Sequence, residues 1–200
     1  MRKPSLPGFT IIELVIVLAI LAILAMLAIP GMQTWIANSK VRTVAESLQN
    51  DLRAAQNEAV KRSRQVAFVM TSATPSVSAT PSSSGKNWYT DVLPITSGTE
   101  TITNVRTNSI GSQYNTTIAA KNAGTAISML CFNSEGRLAA NSATGLGANC
   151  TVPTGTALIT FDVSLTGADR PLRLEVQQGG RVRLCDPAKV LSSTVPDGCT

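Results

Sequence analysis

Histidine is absent from this 200-residue chain, and with it the usual base that activates a serine or cysteine nucleophile. No glycine-rich loop follows a strand and opens a helix, and the scattered carboxylates form no recognisable acid–base pair. The sequence therefore reads as non-enzymatic, with no cofactor. Cys131, Cys150, Cys185 and Cys199 include no Cys-Xaa-Xaa-Cys pair and are irregularly spaced, which disfavours a structural zinc site. Internal repeats and a polybasic tail are also lacking. The formal net charge is +5, and two of the cations, Arg2 and Lys3, lie in the first eight residues.

Those eight residues introduce the strongest feature. Met1–Gly8 is a short basic leader, and Phe9–Ile29 is an apolar run broken by a single charge, Glu13. As a helix the run would span about 31 Å, the thickness of a bilayer's hydrocarbon core. A secretory signal peptide has a shorter apolar core with its cleavage site behind it. Here the cleavage-like Gly8-Phe9 step precedes the run, so the helix would survive processing. Glu13 is costly in lipid and is a functional candidate for that reason.

The string Gly8-Phe9-Thr10-Ile11-Ile12-Glu13-Leu14 resembles the N-terminal signature of type IV pilins and type II secretion pseudopilins. That resemblance implies cleavage by a prepilin peptidase between Gly8 and Phe9, and methylation of the new terminus at Phe9. Glu13 becomes the fifth mature residue, able to meet the terminal amine of a neighbouring subunit in a filament. It also implies a single-pass protein of the bacterial inner membrane, with a periplasmic domain and other pilins as partners, later moving into a pilus filament.

Behind Pro30-Gly31 the pattern changes. Val41, Val44, Leu48, Leu52, Ala55 and Ala59 recur at three- and four-residue spacings, one apolar stripe of an amphipathic helix from about Gln33 to Arg64. Lys40, Arg42, Glu46, Asp51, Arg53 and Glu58 lie mostly off the stripe. The cluster Lys61-Arg62-Ser63-Arg64 reads as a solvated helix C-terminus. Short strands follow over 65–70, 87–95, 100–106, 113–119, 125–132, 156–163, 170–177 and 181–185, and 71–86 is a Ser/Thr/Pro-rich loop with little to bury. The expected fold is α+β and pilin-like, a long N-terminal helix packed on a mostly antiparallel sheet. Its parts are a leader (1–8), a transmembrane or filament-core helix (9–29), an amphipathic continuation (30–65) and a β-rich domain (66–200). With an exported domain the four cysteines should pair. Three connectivities exist, and the local ones, Cys131–Cys150 and Cys185–Cys199, would each staple a Gly/Ser/Pro-rich loop.

The hairpin 170–185 carries the functional question. Leu172, Leu174 and Val176 share a face with Val182 and Leu184 only if the loop is the three-residue Gln178-Gly179-Gly180, with Gln177 opposite Arg181. Arg181, Arg183 and Arg173 then share the other face, with Arg170 and Lys189 nearby. Such a patch could grip phosphate oxygens with little sequence selectivity. Glu175 falls opposite Arg183, so an ordinary cross-strand ion pair is the alternative.

Cys131-Phe132-Asn133-Ser134-Glu135-Gly136-Arg137 and Gly180-Arg181-Val182-Arg183 resemble the FimT/GspH branch of minor pilins. In its FimT-like members the Gly-Arg-Xaa-Arg motif is implicated in binding DNA during natural transformation. The resemblance implies double-stranded DNA as a partner, held through Gly180, Arg181 and Arg183, and the hairpin register adds Arg173, Arg170 and Lys189 as candidates beside them. GspH-like members instead serve type II secretion, and membership there implies a structural role without DNA binding.

Overall fold

The computed structural model describes residues 8–95 and 99–200. The leader expected over 1–8 lies outside the described residues except for Gly8.

One helix, α1 (Ile11–Arg62), begins and ends on sequence-encoded caps. Thr10 is its N-cap and accepts the Glu13 amide through Oγ1 at 3.3 Å. At the other end Ser63 turns left-handed at φ +52° and closes the last turn onto Ala59 and Val60. No single helix among the described residues is long and apolar enough to cross a membrane. The stretches Ile11–Met26 and Gly31–Arg62, inclined by 43°, meet the length and composition of a span only as a bent pair. In the sequence Pro30 falls between the two stretches, and a proline within a helix lacks one hydrogen-bond donor.

The stripe on the second part of α1 is buried as its spacing requires. Val41, Val44, Ala45, Leu48, Leu52, Ala55 and Ala59 form one cluster with Phe68, Trp88, Phe132, Phe161, Leu174 and Val176. The strands that receive it lie in two sheets. The first has the order β3-β2-β1-β6, from β1 (Val66–Thr71), β2 (Asn87–Val92), β3 (Thr103–Asn108) and β6 (Met129–Phe132). The second has the order β10-β9-β8-β7-β4-β5. Its strands are β4 (Thr117–Asn122), β5 (Thr125–Ala126), β7 (Ile159–Ser164), β8 (Leu172–Val176), β9 (Val182–Val190) and β10 (Gly198–Cys199). All pairings are antiparallel except β10 on β9.

Several boundaries depart from the sequence reading. The strand expected over 113–119 starts at Thr117, because a short helix, α2 (Ile110–Gln113), comes first. Asn108 Oδ1 accepts the Ile110 amide and sets that turn. The strand expected over 125–132 is split into β5 and β6. The strand expected to stop at Cys185 continues to Val190, and the tail comes back beside it as β10.

Strands β1, β2 and β6 are buried on both faces. Their far face carries a second cluster of Ala67, Val69, Tyr89, Met129 and Cys131, roofed by Ala79, Leu146 and Cys150. The Ser/Thr/Pro-rich loop therefore does bury something: Tyr89 Oη donates to Ala79 O at 2.8 Å and Thr71 Oγ1 to Thr80 O at 2.8 Å. Cys131–Cys150 pins the other half of that roof, and Cys185–Cys199 ties β9 to β10. Both are the local pairings. Glu175, Cys185 and Cys199 cluster closely, but both sulfurs are spent in the disulfide and offer no thiolate to a metal.

Candidate nucleic-acid interface

Gln177 N donates to Arg181 O at 3.0 Å and Gly180 N to Gln177 O at 2.8 Å, so the β8–β9 loop is the three-residue one. The register runs Val176↔Val182, Glu175↔Arg183, Leu174↔Leu184 and Arg173↔Cys185. Gly180 takes the left-handed conformation, φ +86°, that such a loop needs. Its position has a second cause. A β-carbon there would lie 2.0 Å from Gly136 O and 2.3 Å from Gln56 Nε2. Gln56 Nε2 itself donates to Gly136 O at 2.6 Å. Gly180 is thus a packing residue under the hairpin tip, not a surface that DNA could approach.

The polar face of the hairpin is not the open cationic patch expected. The returning tail covers part of it. Glu175 is buried, accepting from Thr200 N at 2.8 Å and Thr200 Oγ1 at 2.5 Å. Arg183 lies beneath the same tail, its side chain 18% exposed, donating to Pro196 O at 3.0 Å and to Gly198 O, with Glu175 at 4.0 Å. Arg173 Nε bonds Asp162 Oδ1 at 2.5 Å, which raises the arginine's pKa. Lys189 is bound by Asp197 and, at 3.6 Å, by Asp186. That pairing with Asp197 raises the lysine's pKa and lowers the aspartate's.

Arg181 differs. It is exposed at the hairpin tip, and no side-chain partner is found for it among the described residues. Beside it a cleft of about 70 Å³ is lined by Glu175, Gln177, Arg181, Arg183, Leu191 and Thr200. Arg170 is also exposed. It sits at the turn before β8, whose amides at Asp169 and Arg170 both donate to Asn38 Oδ1 at 3.1 Å. That turn meets α1 well before Gln56, so Arg170 belongs to the opposite end of the hairpin from Arg181.

Two residues of the surface were not singled out in the sequence. Arg137, next to Gly136, is exposed and joins the hairpin tip through its neighbour, since Leu138 N donates to Gln178 O at 3.0 Å. Arg53 Nη2 donates to Val182 O at 3.2 Å. The Phe-Xaa-Xaa-Xaa-Gly-Arg string already holds Arg137, but its contact with the hairpin has no local signal. The basic cluster after α1 is a solvated helix end: Arg62 pairs with Glu58, and Arg64 with Glu100 at 2.8 Å.

At the other end of the chain, Phe9 and Ile11–Leu24 present their apolar side chains outward, Ile11 being 86% exposed. Thr10-Ile11-Ile12-Glu13 is also a capping-box sequence, so Glu13 has a local place in the first helical turn besides the role suggested by its charge.

Residues 7–29 match the prokaryotic N-terminal methylation motif. No curated protein sequence matches the chain. Among solved structures it resembles the type IV minor pilin FimU of Pseudomonas aeruginosa in space group P21. The TM-score is 0.50 at 20% identity, over 74% of this chain and 93% of that one. FimU in space group P65 aligns with a TM-score of 0.46 at 21% identity, over 73% and 96% of the two chains.

The chain is a pilin-like α+β protein. The residues matching the methylation motif include the N-terminal part of α1, and the globular domain packs on the C-terminal half of the same helix.

Proposed function

We propose that this chain is a minor type IV pilin that binds double-stranded DNA from the tip of its β8–β9 hairpin. The methylation motif implies processing by prepilin peptidase and assembly with other pilins. It further suggests anchorage through the apolar part of α1, which in this reading is a single pass through the inner membrane with the domain in the periplasm. Cleavage falls after Gly8, Phe9 is methylated, and Glu13 meets a neighbour's terminal amine during assembly.

The observation that carries the DNA reading is Arg181, an exposed arginine at the tip of the hairpin with no side-chain partner among the described residues. It lies level with Gln56, roughly 40 Å along the helix from Ile29, well clear of a bilayer and accessible to a long extracellular polyanion. Arg183 supports this from behind by holding the tail. The test is fluorescence anisotropy of the full-length chain in neutral detergent with a labelled 30-base-pair duplex. Wild type should bind, and binding should weaken steeply with salt as condensed counterions are released. Arg181→Ala should bind several-fold more weakly with unchanged melting. Equal binding by that variant would remove Arg181 from the mechanism.

One observation favours a second reading. Arg173, Arg183 and Lys189 are all engaged by protein groups, so most of the hairpin's charge is internally spent. A GspH-like pseudopilin acting in filament assembly needs no free cations there. Under this reading wild type shows no salt-dependent DNA binding at all.

A further inference from the structure

Two Gly-Arg steps, distant in sequence, meet at the hairpin tip. Gly136 and Gly180 are both left-handed, at φ +76° and +86°. They touch, since a β-carbon on Gly180 would stand 2.0 Å from Gly136 O. Gln56 of α1 bonds that same oxygen at 2.6 Å, and Leu138 N joins Gln178 O at 3.0 Å. The contact therefore has no room to slide. Each glycine reverses the chain and hands on an arginine, Arg137 in one case and Arg181 in the other. Both are exposed, and neither has a side-chain partner among the described residues. Through the glycine contact their Cα atoms are held within roughly 10 Å of one another.

We infer that Arg137 and Arg181 form a two-pronged site for the phosphodiester backbone of double-stranded DNA, with Arg137 an unassigned binding residue. This rests on the DNA-binding reading above and deepens it. With their Cα atoms no farther apart than that, the two long side chains can reach neighbouring phosphates of one strand. Two guanidiniums on a rigid base can thus hold separate phosphates of one strand, each by paired N–H donors. Arg53, donating to Val182 O, adds a third positive charge on the helix side. The opposing charge is Glu135, exposed on the same turn with its amide bound to Asn133 Oδ1 at 3.0 Å. Anionic lipid is the poorer partner, because the pair stands roughly 40 Å along α1 from the apolar segment.

The site is tested with the full-length chain in neutral detergent, by anisotropy against a 30-base-pair duplex over a series of salt concentrations. Arg137→Ala should weaken binding several-fold and lower the slope of log affinity against log salt by roughly 0.9, the signature of one lost phosphate contact. The Arg137→Ala/Arg181→Ala pair should lower it by roughly 1.8. Glu135→Gln should tighten binding at low salt. The turn itself is held by the Arg137 amide on Asn133 Oδ1 at 2.9 Å, so truncating the side chain leaves it intact. Arg137→Lys, keeping the charge but not the paired donors, should restore the salt slope and recover only part of the affinity. If Arg137→Ala matches wild type in affinity and slope while Arg181→Ala is weaker, this inference is wrong and the DNA reading stands. A lysine variant with the same lowered salt slope as the alanine one also overturns it. Failure of the wild type to bind removes both.

Discussion

Gly180 sits so close to the carbonyl oxygen of Gly136 that a β-carbon there would stand 2.0 Å from it. The obstacle is backbone, which cannot swing aside as a side-chain end can. Gly180→Ala must also hold a left-handed φ of +86°. Together these should cost about 3 kcal/mol. Gly179 next to it has open space around its Cα and no positive φ, so Gly179→Ala should change stability by less than about 0.5 kcal/mol. Chemical denaturation of the two variants side by side checks the pair. Equal losses would mean that the loop, not the glycine contact, sets the cost.

Arg183 is predicted to act on the tail. Its guanidinium bridges the Pro196 and Gly198 carbonyls and faces the buried Glu175 carboxylate. Arg183→Ala leaves two carbonyls short of a donor and Glu175 without its cation, at a cost of about 2 kcal/mol. Hydrogen exchange over residues 196–200 should accelerate, while exchange in α1 stays the same. A lysine cannot span two carbonyls with a planar fork, so Arg183→Lys should recover only part of the protection. Unchanged exchange in the tail would show that Cys185–Cys199 and Thr200 hold it without the arginine.

The amphipathic stripe and the hairpin register were legible because both follow from periodicity. Leu48 and Leu52 must face one way on a helix, and Leu174 and Val182 can share a face only in one parity of loop. What stayed hidden depends on chain returning from far away. Arg183 is caged by backbone carbonyls of Pro196 and Gly198, which no residue letter announces. Glu175 alternates as an outward residue should, yet a tail that pairs in parallel with β9 buries it. Arg137 and Arg181 were each visible in a motif, but only the Gly136–Gly180 contact makes them neighbours.

Asp51 is the polar member of the buried helix face. It comes three residues after Leu48 and four before Ala55, at the edge of the apolar stripe, and is only 2% exposed. Its carboxylate accepts from Trp88 Nε1 and Asn108 Nδ2 at 2.8 Å each, and pairs with Arg106 Nε at 2.8 Å. These bonds tie α1 to β2 and β3. Asp51→Ala should therefore cost about 2 kcal/mol, because the buried Trp88 donor loses its acceptor and the half-buried Asn108 amide keeps only Ser47 Oγ. Arg106, more than half exposed, should lose under about 1 kcal/mol on truncation to alanine. Denaturant midpoints compare them, and a larger loss for Arg106→Ala would place the anchor in the ion pair instead of the buried hydrogen bonds.

Asp91 supplies the pH-dependent prediction. It is fully buried in β2, with Asn104 Nδ2 donating to Oδ1 at 2.7 Å and no partner on Oδ2 among the described residues. Burial raises its pKa above the ordinary carboxylate value, and the Asn104 hydrogen bond only partly opposes this. The folded state thus prefers the protonated acid. Its contribution is fully present below the unfolded-state pKa and is lost as pH rises through the raised folded-state value. Above that value the native chain carries the cost of an ionised buried group. Asp91→Asn removes the charge and keeps an acceptor for Asn104, so it should stabilise the domain by about 1 kcal/mol at pH 7.5. The gain should shrink as pH is lowered towards 4 and the native aspartate takes up its proton. Melting curves of both chains at the two pH values decide it, and a stabilisation that is equal at both would show that shape rather than charge is responsible.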